Sequence, residues 1–225
     1  MMNRYLGLLL LPATILLGNV TSSVAPAWAE TLVQSTLDSR IVLAFRVAEA
    51  ELQRWVPAPW QINPAAAGPS KDANLLIIFV DRLLDQDAEG KPAAVPTYRV
   101  VALVVPGKHP QTGEAGPLLV RLFNTNPKAV PGFYKTAVPA TIRREQTLKG
   151  ESNEPGVGPD WWEMRDTAGG MMELRVQYQR GTPSRVKAEA KPRSGSDPTV
   201  WRIYRFEQGV DVVKSIPAGI DRVQS

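Results

Sequence analysis

The chain has 225 residues, 44% hydrophobic and 21% charged, with a net charge of +4, one histidine and no cysteine. That length and apolar content suit one well-buried domain, and the interspersed basic and acidic residues give no nucleic-acid footprint. The lack of cysteine excludes disulfides, thiolate zinc sites and lipid attachment at an N-terminal Cys, so stability must rest on core packing.

Residues 1–29 read as an export signal, with Arg4, an apolar run from Leu6 to Leu17, and the small residues Ala27 and Ala29. Cleavage is expected between Ala29 and Glu30, leaving a single domain of residues 30–225 in the periplasm or outside the cell. Pro12 and Gly18 interrupt the apolar run, which is shorter than the ~20 residues of a spanning helix. No later segment is apolar enough to cross a membrane, so no stable insertion is expected after cleavage.

Residues 30–40 read as a short extended lead-in. In residues 41–56, Val42, Phe45, Ala48, Leu52 and Trp55 recur at helical intervals between charged positions, which predicts an amphipathic helix ended by Pro57 and Pro59. On that pattern Trp55 faces the core. Residues 61–74, rich in Pro, Ala and Gly, read as a surface loop.

Residues 75–84 and 98–105 are continuous apolar runs, as in strands covered on both faces. Between them Asp85, Asp87 and Glu89 precede Gly90 like half a calcium loop, but Pro96 stands where the bidentate Glu is needed, so a polar hairpin tip is expected. His109 lies in a Pro- and Gly-rich stretch without a Gly-x-Ser-x-Gly partner, the setting of a solvated loop histidine.

The chemistry concentrates in residues 117–150. Arg121 interrupts an apolar run, and a charge there must be paired or face a wet cavity. A turn with Pro131, Gly132, Phe133, Tyr134 and Lys135 follows, and then a strand carrying Arg143, Arg144 and Glu145. In a regular strand Arg144 and Glu145 point to opposite faces. Residues 151–159 read as a mobile loop.

In residues 171–180 Met172, Leu174, Val176 and Tyr178 alternate with polar residues. Val186, Ala188 and Ala190 alternate likewise, the alanines leaving room on an inner face. Trp161, Trp162, Trp201, Tyr204 and Phe206 read first as core packing, and second as the lining of a ligand cavity. Turns at Gly90, Gly107, Gly170 and Pro183 give strand spacings of an antiparallel barrel or sandwich.

The phrase Leu52-Gln-Arg-Trp-Val-Pro57-Ala-Pro-Trp60, the strand and hairpin after it, and the Pro-centred segment leading into the strand at Ala140 resemble the acetoacetate decarboxylase superfamily over most of residues 37–216. The resemblance implies a mainly β (α+β) fold, an antiparallel β-barrel or cone with one amphipathic N-terminal helix, and a lyase acting on a small oxo-acid. It brings no cofactor and no metal, and it is compatible with a homo-oligomer.

The family's Schiff-base lysine stands in an aromatic-Pro-Lys-Lys phrase, and Val130-Pro131-Gly132-Phe133 occupies that point here without the lysine pair. The adjacent cation that activates such a lysine is thereby missing. From chemistry and position alone, Lys135, or Lys128, is the candidate amine and Glu145, or Glu163, the candidate proton carrier. Arg121 and Arg144 are candidate carboxylate anchors, because the guanidinium fork bonds two oxygens at once, and Tyr134 and Phe133 are candidate binding-site walls. Two functions stay open: a decarboxylase-like lyase, and a non-catalytic periplasmic binding or accessory protein for a small hydrophobic acid or lipid-like ligand.

Overall fold

The computed structural model describes residues 30–147, 149, 157–179, 182, 184–210 and 214–224, so the export signal, the 29/30 cleavage point and most of the 151–159 loop lie outside the described residues. The chain divides into two units, 1–32 and 33–225. Residues 30–32, the described part of the first, carry no regular structure.

In the second unit the elements run β1 (Ser35–Phe45), α1 (Glu49–Gln53), β2 (Gln61–Ile62), β3 (Leu75–Gln86), β4 (Tyr98–Lys108) and β5 (Ala115–Asn124). A 3-10 turn at Pro127–Ala129 leads to β6 (Ala137–Gln146), β7 (Val157–Asp166), β8 (Met171–Gln179), β9 (Ser184–Ala190), β10 (Arg193–Ser194), β11 (Tyr204–Val210) and β12 (Lys214–Gln224). The main sheet, strongly curled, is ordered β1-β3-β4-β5-β6-β7-β8-β12. Short β2 pairs with β4, and β10 lies parallel beside the start of β5. The end of β5 pairs parallel with β6, and the other pairings are antiparallel. The mainly β cone or barrel expected from the sequence is the fold observed.

The concave face carries the core. Ile77, Phe79, Val101, Ile142, Trp162, Met164, Met172, Leu174 and Val176 form one buried cluster, with Ile41, Leu43 and Phe45 packed against it. Leu52, Val56, Trp60, Val105, Leu118 and Val120 form a second, in which the segment after α1 packs on β4 and β5. Leu75 and Leu103 touch both clusters.

The N-terminal region corrects the expectation of a helix over 41–56. Strand β1 runs through Phe45, and the helix is the five residues Glu49–Gln53. The same residues carry a period of two: Ile41, Leu43 and Phe45 turn inward while Arg40, Val42 and Ala44 are exposed. Pairing with β3 favours that period for β-branched and aromatic side chains. The turn between β1 and α1 is held by the fully buried Asn74, whose side chain accepts from Val47 N and donates to Val47 O, each at 2.8 Å. Residues 61–74 are thus a tethered connection containing β2. The lead-in read over 30–40 is largely the first half of β1.

Trp55 is also corrected: it is 53% exposed, with the Arg121 guanidinium 5.7 Å from its ring centre. Trp55→Asp is therefore expected to cost below about 1 kcal/mol, the size of an exposed cation–π contact. Urea denaturation checks this, and a loss above about 2 kcal/mol would return Trp55 to the core. The third correction concerns β9, which joins β11 in a separate two-stranded ribbon with Ala188 exposed, so its alanines line no barrel interior.

Candidate functional site

Two polar assemblies stand out. The first caps the core at one end of the concave face. Ser39, Asp81 and Arg99 sit directly opposite one another on β1, β3 and β4, and Arg144 lies opposite Trp162 on β6 and β7. Arg144 donates through Nε (3.2 Å) and Nη2 (2.8 Å) to the two oxygens of Asp160, and through Nη1 to Asp81 (3.1 Å) and Ser39 (3.4 Å). Asp81 also accepts from Arg99 Nε at 3.0 Å.

Asp160 is 0% exposed and the Arg144 side chain 9%. Burial opposes the charge on Arg144, but its bonds to Asp160 and Asp81 outweigh it and hold its pKa above the usual arginine value. Two guanidinium and two carboxylate charges balance, and a buried set of that kind is satisfied as it stands. Arg144 faces inward while Glu145 faces solvent, as the alternation predicts, but the anchor expected of Arg144 is already occupied by Asp160. The Trp162 Nε1–H, buried beneath the Arg144 guanidinium, meets no acceptor among the described residues.

A companion network lies one residue along on the other face. Asp38 accepts from Arg82 (2.9 Å) and Arg40 (2.6 Å). Arg82 and Tyr98 share a hydrogen bond, and the Tyr98 hydroxyl donates to Asp85 at 2.8 Å. Burial pushes the Tyr98 phenol up to about 12, with Asp85 adding and Arg82 opposing. Asp85, read as half a calcium loop, is thus engaged by Tyr98 and by Gln34, while Asp87 accepts from the backbone of Glu89 and Lys91. His109 is half-buried with its ring edge-on to Trp60, more enclosed than the loop histidine expected.

The second assembly is the turn between β5 and β6. Asn126 caps its 3-10 turn by accepting from Lys128 N at 3.0 Å. The chain then reverses through Gly132 at φ 70° and Lys135 at φ 55°, left-handed conformations that cost a non-glycine residue about 1 kcal/mol. The reversal buries Tyr134 and leaves Phe133 and Lys135 exposed.

The Tyr134 carbonyl accepts from Ser194 Oγ at 2.6 Å, which ties the turn to β10. The Tyr134 hydroxyl is buried with the Tyr204 phenol as its neighbouring polar group, and the buried Thr136 Oγ1 meets no partner among the described residues. Burial first, and the neighbouring Tyr204 second, raise the Tyr134 pKa well above the tyrosine range, against an opposing pull from Arg202. Arg202 stacks its guanidinium 3.8 Å from the Phe133 ring centre, and the Phe133 and Tyr134 rings meet edge to face at 5.1 Å.

The predicted site residues thus divide. Phe133 and Tyr134 are brought together, and Tyr204, expected first in core packing, joins them with Arg202, to which sequence reasoning assigned no role. The alternation Trp201-Arg202-Ile203-Tyr204 is the one signal that could have drawn attention to that arginine. Arg121 stays with Trp55. Lys135 precedes β6 and Glu145 lies one residue before its end, roughly 25 Å of strand apart at the rise of an extended chain, so the two do not share a substrate. Glu145 is paired with Arg143, Glu163 with Arg165, and Lys128 is exposed. Two open grooves of about 380 and 470 Å³ lie elsewhere, one apolar beside Pro106 and Gly107, the other on the ribbon at Lys187 and Phe206.

No family profile matches the chain, and no curated protein sequence matches it. Solved structures do. The enduracididine biosynthesis enzyme MppR complexed with pyruvate aligns at a TM-score of 0.52 and 10% identity, over 85% of this chain and 80% of its own. MppR bound to HEPES buffer gives 0.51 over 84% and 77%. An acetoacetate decarboxylase-like enzyme from Sphingomonas wittichii RW1 aligns at 0.46 and 9% identity, over 82% of this chain and 89% of its own. At such identities the likeness is one of fold: the chain shares the fold of MppR over most of its length.

Proposed function

We propose that the protein is an exported, non-catalytic barrel that binds a small apolar acid or oxo-acid. One observation carries the reading: every lysine whose side chain is described is exposed, Lys128 and Lys135 included. Imine chemistry needs an amine withdrawn from water or set beside another cation, and the buried cations here are arginines held by carboxylates. The oxo-acid class is suggested by the pyruvate complex of MppR. Export rests on residues 1–29, with Ala27 and Ala29 at the expected cleavage point.

The test uses protein purified from the periplasmic fraction, expected to begin at Glu30, mixed with pyruvate and borohydride and mapped by peptide mass spectrometry. Pyruvate should bind and no lysine should be alkylated, with Lys135→Met leaving affinity unchanged within about twofold, since it removes no binding contact. A reduced adduct on any lysine would replace this reading by a Schiff-base enzyme.

A further inference from the structure

We infer that Arg202 is the carboxylate anchor of the ligand site, held in place by Phe133 and flanked by the phenols of Tyr134 and Tyr204. This rests on the reading of the protein as an acid binder and names the group that recognises the acid.

Among the arginines with described side chains, Arg121 and Arg202 are those with no carboxylate partner. The others, from Arg40 to Arg205, are ion-paired. Of the two, Arg202 is the more closely built in. Its guanidinium lies 3.8 Å from the centre of the Phe133 ring, against 5.7 Å for Arg121 over Trp55. Stacking occupies the face of a guanidinium and leaves its edge N–H donors to bind in the ring plane, where a carboxylate takes two of them.

The phenols supply the rest. The Tyr134 hydroxyl is buried with the Tyr204 phenol as its neighbouring hydrogen-bonding group, and a ligand oxygen would give it a second partner. Tyr204, 36% exposed, interacts with the Tyr134 hydroxyl and brings a second phenol to the site. Asp197, five positions before Arg202, is engaged elsewhere: its Oδ1 accepts from Thr199 N at 3.1 Å and Thr199 Oγ1 at 2.5 Å. The apolar wall of Phe133 and Tyr134 suits the short carbon chain of an oxo-acid.

Isothermal titration of the mature protein with pyruvate, hexanoate and methyl pyruvate tests this on wild type, Arg202→Leu, Arg121→Leu and Tyr134→Phe. Arg202→Leu should weaken both acids by about tenfold or more, the worth of a charge-assisted pair. Arg121→Leu should stay within about twofold, and methyl pyruvate should bind weakly to wild type and Arg202→Leu alike. Tyr134→Phe should bind acids more weakly, since it removes the buried hydroxyl that would donate to a ligand oxygen. Wild-type binding of acids with Arg202→Leu or Tyr134→Phe unchanged in affinity would overturn the anchor and leave the binder reading standing. Failure of the wild type to bind either acid would overturn both.

Discussion

Replacing Arg144 by methionine is expected to destabilise the folded protein by about 3–5 kcal/mol, as removing one member of a buried ion pair does. The size follows from what is left behind. Asp160 is fully buried, and the hydrogen bonds described for its carboxylate come from Arg144, whereas Asp81 keeps Arg99. The orphaned charge would stay buried on β7 two residues before Trp162, with no other donor to it among the described residues. A second variant separates this cause from loss of side-chain packing. Arg144→Met combined with Asp160→Leu should recover most of the loss, because removing both charges leaves nothing unpaired. Urea denaturation of the two variants reads the effect, and a loss under about 1 kcal/mol for the single variant would show the layer to be wet and unimportant.

Much of this layer was legible in the sequence, because a strand alternates with a period of two. Arg144 inward and Glu145 outward follow from the pleat, and so does the burial of Met172, Leu174 and Val176 on β8. What the pattern could not give was the partner. Asp160 meets Arg144 only through the β6–β7 pairing, and nothing local in residues 157–166 marks that acid as buried. The helix over 41–56 failed for a related reason. Residues 41–47 satisfy both periods, and the choice was made by the edge of β3, a neighbour some 35 residues on. Arg202 was missed because Trp201-Arg202-Ile203-Tyr204 alternates like an ordinary strand. The turn at Phe133 that gives the arginine its role arrives from 69 positions earlier in the chain.

Gly195→Ala is expected to destabilise by about 3 kcal/mol, at the upper end of overpacking costs, and to weaken acid binding with it. A Cβ at Gly195 would stand 2.6 Å from Val120 Cα and 2.7 Å from Leu119 O, both backbone atoms, so no rotamer change relieves the contact. The segment must move away from β5. That movement would stretch the bond from Gly195 N to Leu119 O, now 2.8 Å, and the parallel pairing of Arg193 and Ser194 with Leu118 and Leu119. Two further tethers share the segment: Ser194 Oγ donates to the Tyr134 carbonyl, and the Arg193 guanidinium lies between Trp60 and Trp201, 5.3 and 5.6 Å from their ring centres. Arg202 follows directly, its N–H bonded to Pro192 O, so displacing the segment pulls the guanidinium off Phe133. Gly209→Ala is the matched control, since a Cβ there meets nothing within 4 Å, and it should stay within about 0.5 kcal/mol of wild type. If Gly195→Ala melts like the control, the close approach of this segment to β5 is not what holds Arg202 against the Pro131 turn.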